Sequence, residues 1–169
     1  MFKFCANCGR EGTVQKVDAT DYRCQECGWE FWNNAKTATA LVFVKNQQLL
    51  VVKRAHEPRK GMYELAGGFV NFGESAYDCA IREANEELGI TIARDDLELL
   101  DVYHNDYNPN IFTVDVAFLV KAWQGDFKPA DDVAAVAWKP LSFIHDPTFC
   151  QKNYTGLDKI IQAKLKAAR

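Results

Sequence analysis

The chain has 169 residues, 48% of them hydrophobic, which is enough for one medium domain with a real core plus a small module. Its formal net charge of −3 argues against nonspecific binding to nucleic acid or to an anionic membrane surface. No apolar run approaches the roughly 20 residues a membrane-spanning helix needs, and repeats and low-complexity stretches are missing.

The first feature in chain order is a pair of C-x2-C-G knuckles, Cys5-Ala-Asn-Cys8-Gly9 and Cys24-Gln-Glu-Cys27-Gly28, separated by 15 residues. This is a zinc-site spacing. Four thiolates satisfy tetrahedral Zn²⁺ with no open position, so Cys5, Cys8, Cys24 and Cys27 are expected to hold a structural ion. The glycine after each second cysteine permits a tight turn around the metal. Disulfides are the rival reading. Small disulfide scaffolds are secreted, however, and no signal peptide precedes Cys5, so reduced thiols in the cytoplasm are expected. About 30 residues bury little core, and zinc binding would supply the folding energy. Tyr22, Trp29, Phe31 and Trp32 crowd the second knuckle, either to stack on bases or to dock the ribbon on a neighbour. Residues 1–33 set Lys3, Arg10, Lys16 and Arg23 against five acids, which is no electrostatic footprint for nucleic acid. Docking, or a contribution to homodimer contacts, is the expected use. Residues 1–33 are thus read as a zinc ribbon and 34–169 as a second domain.

Residues 37–45 are rich in β-branched and aromatic side chains and pair with 48–54 across an Asn46-Gln47 turn. Residues 62–65 and 68–70 read as short strands leading into a glycine loop. Residues 97–104 and 111–122 read as longer strands joined at Asn108-Pro109-Asn110, and 133–139 as a strand stopped by Pro140. In 156–166, Leu157, Ile160, Ile161 and Leu165 share one helical face. Strands dominate, with one helix in the middle and one at the end, so the expected class is α/β with a mixed sheet between helices.

The middle helix is expected over 76–88, with Ser75 as N-cap, Asp78 in the first turn and Gly89 as the left-handed terminator. Tyr77, Ile81, Ala84 and Leu88 form the stripe expected to face the core. The opposite stripe carries Ala76, Cys79 and Ala80, then Glu83, Glu86 and Glu87. Those three acids stand at i, i+3 and i+4, where like charges repel by about a few tenths of a kcal/mol per pair. Two of them lie in the last turn, where the helix dipole favours cations. Arg82 is expected to point about 100° away from the stripe. A solvated acidic helix end is the plain reading; a divalent cation would resolve the conflict, and an all-oxygen ligand set suits Mg²⁺ or Mn²⁺.

Gly68, Glu74, Arg82, Glu83, Glu86, Glu87 and Gly89 stand in the order Gly-x5-Glu-x7-Arg-Glu-Ala-x-Glu-Glu-x-Gly-Ile. This resembles the signature of the Nudix hydrolases, which cleave diphosphates linked to some other group. The resemblance implies an α/β/α sandwich. It also implies that Glu83, Glu86 and Glu87 are the main ligands of a catalytic Mg²⁺ or Mn²⁺, with the Gly68 carbonyl nearby. Glu74 would be a further or outlying ligand, and Arg82 would hold a glutamate by a salt bridge. The general base varies between members: Glu86, Glu87 or an acid from a later loop. Asp131 and Asp132 occupy such a loop, whose plainer reading is an acidic turn before 133–138.

A four-cysteine ribbon ahead of this domain is similar to the NADH pyrophosphatase branch, as is the run Gly61-Met-Tyr-Glu-Leu-Ala-Gly-Gly-Phe-Val70. The Ser-Gln-Pro-Trp-Pro-Phe-Pro-x-Ser run of that branch does not occur, and its further amino-terminal domain does not precede the ribbon. Selectivity for the reduced dinucleotide is therefore not implied. Tyr107, 17 residues past Ile90, is similar to a tyrosine of some dinucleoside polyphosphate hydrolases; with Tyr103 and Phe112 it would stack a base, or simply pack. Arg54 ends a Leu-Leu-Val-Val-Lys-Arg strand, either as a phosphate contact of the kind family members use or as an edge charge. His56, His104, His145, Cys79 and Cys150 match no ligand pattern. The expected function is hydrolysis of a nucleoside diphosphate linked to another moiety, such as an NAD(H)-like dinucleotide or ADP-ribose. The alternatives are a nucleoside triphosphate pyrophosphatase, a non-catalytic nucleotide sensor and an RNA-end-binding protein.

Overall fold

The computed structural model describes residues 2–108, 111–151, 154 and 156–167, so Pro109 and Asn110 of the expected hairpin turn lie outside the described residues. The chain divides into two compact units, Met1–Ala35 and Lys36–Arg169. Among the described residues no helix is long and apolar enough to cross a membrane.

The first unit is an antiparallel three-stranded sheet, β1 (Val14–Lys16), β2 (Asp21–Cys24) and β3 (Glu30–Trp32), in that order. Phe2 packs edge-on against Tyr22, Trp29 and Phe31, with ring centroids 5.4, 5.5 and 5.0 Å away. Three of the four aromatic residues around the second knuckle thus build the unit's own small core. Trp32 stays 63% exposed.

The second unit contains β4 (Lys36–Val42), β5 (Val44–Lys45), β6 (Gln48–Arg54) and β7 (Tyr63–Glu64). These are followed by α1 (Ala76–Leu88), β8 (Leu97–Asn108), β9 (Ile111–Val120), β10 (Val133–Pro140) and α2 (Leu157–Ala167). Strand β4 runs parallel to β9, β9 pairs antiparallel with β8, and β6 pairs antiparallel with β5, β7 and β10. The period-2 alternation of β4 and β6 sorts the core into two layers. Leu41, Phe43, Leu50 and Val52 pack with Ala80, Ala84 and Leu88 of α1. Ala40, Val42, Leu49 and Val51 pack with Phe149, Tyr154, Leu157 and Ile161 on the α2 side. The result is the expected α/β/α sandwich, its middle layer formed by a mixed β4-β9-β8 sheet and an antiparallel sheet of β5, β6, β7 and β10.

The Asn46-Gln47 turn is present, with φ of 51° and 62°, the two-positive-φ geometry that matches strand twist. Of the expected 37–45 partner, however, only Val44–Lys45 pairs across it with β6, while β4 pairs with β9 instead. Residues 68–70 are not a strand. Gly67, at φ 138°, interrupts the extended run and leaves only isolated bridges, Ala38 to Phe69 and Leu41 to Ala66. The orientation of α1 also differs from expectation. Cys79 and Ala80 are fully buried, whereas Tyr77 and Ile81 only flank the core. The small residues Ala80 and Ala84 let the helix approach the sheet closely, and the larger Tyr77 sits at the rim, its ring 4.6 Å from that of Phe118. This rotation draws Glu83 and Glu87 inward, to 8% and 4% exposure.

Candidate active site and metal centres

Helix α1 carries its own start and stop. The Ser75 hydroxyl accepts from the Asp78 amide at 3.2 Å, the Asp78 carboxylate accepts from the Ser75 amide at 3.3 Å, and Gly89 closes the helix at φ 66°. The Gly67-Gly68 loop is wedged between β4 and this helix, and two glycines are what fit there. A Cβ on Gly67 would stand 2.2 Å from the Thr39 carbonyl oxygen, and one on Gly68 would stand 2.2 Å from Glu83 Oε1. The Gly67 amide donates to Glu87 Oε2 at 2.8 Å.

Arg82 departs from the expectation that it points away from the acidic stripe. Its Nη1 donates to Glu83 at 2.7 Å and to Glu86 at 2.8 Å, while Nε and Nη2 donate to Glu74 at 2.8 and 3.0 Å. The reason is geometric: Arg82 and Glu86 are one turn apart, and a flexible guanidinium spans the rest. Its Nη2 also donates to the Phe69 carbonyl at 3.1 Å, tying the helix to the loop. The Arg82 hydrogen bonds hold Glu74 below the usual carboxylate range. Burial pushes Glu83 up, with Arg82 opposing.

Glu87 has no such cation. Burial, and then the Asp132 carboxylate beside it, push it up to about 10. Asp132 is brought there by the end of α1. The last helical carbonyls, which have no intrahelical partner, accept from the following loop: Glu87 O from the Ala130 amide at 3.0 Å and Leu88 O from the Lys128 amide at 2.8 Å. The Ala55 amide donates to Asp132 O at 2.7 Å, fixing the loop to the end of β6. Asp131 is exposed at φ 53° and does not line the cleft, so of the two neighbouring acids only Asp132 reaches the site.

The cleft that Gly67, Gly68 and Asp132 border runs down between Phe69, Tyr107 and the inward side chains of β8 and β9. Arg54 lines it but is neither an edge charge nor a free cation. It is 7% exposed, donates from Nε to the Pro58 carbonyl at 2.7 Å and pairs with Glu64 at 2.5 Å. Burial raises the Glu64 carboxyl, with Arg54 opposing. Tyr107 lies at the cleft wall, its ring 5.3 Å from that of Phe69. Phe112 does not join it there. That side chain is 57% exposed and borders an adjoining groove that shares Arg59 and Tyr107 with the cleft. Glu64, Asn105, Asp115 and Gln151 also line the cleft. Asp115 had a readable signal, since a carboxylate stands between Thr113 and Ala117 on the inward phase of an alternating strand. Gln151 had none: its Oε1 accepts from the Leu65 amide at 2.8 Å across 86 residues.

In the first unit, the four Sγ atoms of Cys5, Cys8, Cys24 and Cys27 all lie within 4.8 Å of one another. Cys5 and Cys27 are 3.7 Å apart, and Cys8 and Cys24 3.8 Å. A tetrahedron with metal–sulfur bonds of about 2.3 Å has edges of about 3.8 Å, so the set has the size of a zinc site. Gly9 and Gly28 take φ of 71° and 73° as each knuckle turns back on itself. The Thr13 hydroxyl, 3.2 Å from Cys24 Sγ, leads the contacts that bring that thiol down to about 6, toward the thiolate a metal needs. Among the described residues this is the only gathered group of potential ligands; Glu83, Glu86 and Glu87 do not form one.

The model of the NUDIX domain family matches residues 34–159. An ADP-ribose pyrophosphatase of Methanocaldococcus jannaschii is 33% identical over 120 residues, which cover 70% of this chain and 66% of that protein. An NAD-capped RNA hydrolase NudC of Pseudomonas aeruginosa is 30% identical over 93 residues, 54% of this chain and 32% of that protein. The chain therefore spans just under two thirds of the first relative's length and about a third of the second's. Among solved structures, a MutT NUDIX hydrolase from Burkholderia pseudomallei matches with a TM-score of 0.59 at 28% identity, over 64% of this chain and 85% of that one. With the family model spanning most of the residues, and the capped helix and glycine loop in place, the chain belongs to the NUDIX family.

Proposed function

We propose that the second unit hydrolyses a diphosphate bond in a nucleoside diphosphate linked to another moiety, with ADP-ribose or an NAD-like dinucleotide as the favoured substrate. The observation that carries this reading is the buried Glu87 carboxylate, held by the Gly67 amide and pushed up by burial and by the half-buried Asp132 beside it. A buried acid with a second acid beside it is costly unless a proton or a cation offsets the charge. The donor set fits a hard divalent ion: Glu83, Glu86 and Glu87, with the Gly68 carbonyl and Asp132 adjacent and no nitrogen or sulfur ligand among them. When bound there, Mg²⁺ or Mn²⁺ would neutralise diphosphate oxygens and lower the pKa of an attacking water.

The chain's own residues divide the remaining work. Arg82 pairs with Glu74, Glu83 and Glu86 and balances their charge until an ion takes its place. The Gly67 amide orients Glu87. Asp132, bordering the cleft beside Glu87, is the acid best placed to take the proton of the attacking water. Arg54 acts through its ion pair with Glu64, which shapes the cleft wall. In the first unit the four cysteines bind a structural Zn²⁺, which suits a reducing compartment such as the cytoplasm. The adenosine diphosphate half common to the substrates named in the two relatives supports the choice of substrate class.

The test is a product-resolved assay of ADP-ribose, NADH, FAD, diadenosine polyphosphates and nucleoside triphosphates with Mg²⁺ and with Mn²⁺. Turnover of the first two into nucleoside monophosphate and a second phosphorylated product is expected. No turnover of any member of the panel would sink the reading.

A further inference from the structure

Asp115 stands on the inward side of β9, 4% exposed, at the floor of the cleft. Its Oδ2 accepts from the Tyr154 hydroxyl at 2.8 Å and from Asn105 Nδ2 at 3.3 Å. Its Oδ1 is equally buried and, among the described residues, has no hydrogen-bond partner. Half of this carboxylate is thus fixed by two donors while the other half is an acceptor without a donor, an arrangement that native folds rarely leave unexplained. Tying Tyr154, ahead of α2, to the sheet would need only the satisfied half.

The cavity beside it measures about 110 Å³. Whole-ligand pockets run to roughly 300 Å³ and more, so this space takes one part of a ligand. Phe69 and Tyr107 supply an aromatic wall, and Gly67, Gly68 and Asp132 border the same space. A ring held here would therefore be joined to a diphosphate lying over α1. We infer that Asp115 Oδ1 accepts a hydrogen bond from an exocyclic amino group on a heterocycle of the substrate, and so selects amino-bearing rings over oxo-bearing ones. A carboxylate offers only lone pairs to the ligand, and a ring carbonyl in the same place would meet them head-on. Two rings of the proposed substrate class share this chemistry, the 6-amino group of adenine and the carboxamide of nicotinamide. The inference rests on the nucleoside-diphosphate reading above.

The experiment compares three dinucleotides on the whole chain: NAD, its hypoxanthine counterpart and its nicotinic acid counterpart. Binding is measured by calorimetry in Ca²⁺, and hydrolysis in Mg²⁺. A site built around one hydrogen bond discriminates strongly, so one replacement weakens binding at least tenfold and identifies the ring in the cavity. Equal affinity for all three, or no binding of any, overturns the inference. Asp115→Asn supplies an amide that donates to a ring oxygen, and the gap is then expected to close or reverse; a folded variant that keeps the wild-type gap also overturns it. The wild-type series does not depend on that variant folding. Amino-selective binding without hydrolysis would sink the proposed activity and leave this inference standing. Hydrolysis at equal kcat/KM for all three would sink the inference alone.

Discussion

The two candidate ligand sets of this chain are built in opposite ways. The four thiols of the first unit already sit at the separations of a tetrahedral ion, and they leave no coordination position for anything else. The carboxylates of the second unit are held apart, with Glu74, Glu83 and Glu86 on Arg82, and Glu87 on the Gly67 amide and Asp132. A permanent ion needs a closed, preassembled cage, and its binding energy is folding energy. An ion that comes and goes with a phosphate substrate needs acids whose charge is balanced in its absence and released in its presence. The ligand chemistry agrees, with soft sulfur in the first case and hard oxygen in the second.

That contrast is broken most directly at Glu87. Glu87→Gln is expected to lower kcat by about a hundredfold or more at saturating Mg²⁺, because it removes a proposed ligand of the activating ion. The same variant, without divalent ions, is expected to melt at the wild-type temperature or above it at neutral pH, since a neutral amide replaces a carboxyl buried against Asp132. Wild-type turnover would remove Glu87 from the machinery. A large drop in melting temperature would show that Glu87 serves the fold instead. Next in size is Cys24→Ser. Zinc content, measured by atomic absorption, is expected to fall from one ion per chain to none, with the β1–β3 resonances collapsing in NMR spectra while kcat changes far less than in Glu87→Gln. Retention of one zinc per chain would place the ion elsewhere.

Much of this was legible in the sequence because the signals were local. The knuckle spacing, the Ser75 and Gly89 caps and the Asn46-Gln47 turn each depend on a few adjacent residues, and each has the expected geometry. What failed depended on packing between distant segments. The face of α1 that meets the core is legible only in part: Ala84 and Leu88 are buried as expected, but so are Cys79 and Ala80, while the bulkier Tyr77 and Ile81 stay at the rim. Arg82 was assigned a direction from the helix wheel alone, although the reach of its side chain decides which acids it meets. From sequence Arg54 reads as either an edge charge or a phosphate contact. Glu64, the partner that removes the edge-charge choice, becomes its neighbour only when β7 folds against β6.

A pH series sharpens the comparison further. Glu87 ionises near 4.5 in an unfolded chain and at about 10 in the folded one, so folding takes up a proton between those values. Its contribution to the stability of the metal-free protein is complete below about pH 4.5 and is lost as pH rises toward 10. A divalent ion requires the ionised form. Mn²⁺ affinity, read by calorimetry, is therefore expected to rise by up to about tenfold per pH unit between pH 6 and 9, with about one proton released per ion. In Glu87→Gln the slope is expected to flatten. An equally steep slope in that variant would assign the proton to a different group.

The smallest expected effect concerns the frame that presents the acids. Ser75→Ala removes the side-chain acceptor for the Asp78 amide and breaks the capping box, at a cost of about 1 kcal/mol. For a chain of this size that corresponds to a fall in Tm of roughly 2–4 °C. The cap sits beside Glu74, and Glu74 is held by Arg82 from two turns further along the helix. Those two hydrogen bonds anchor Glu74 independently of the cap, so kcat is expected to stay within about twofold of wild type while Tm falls. A tenfold fall in kcat with the same small loss of stability would mean that the start of the helix positions the acids, and the carboxylate set would then be as preassembled as the thiols.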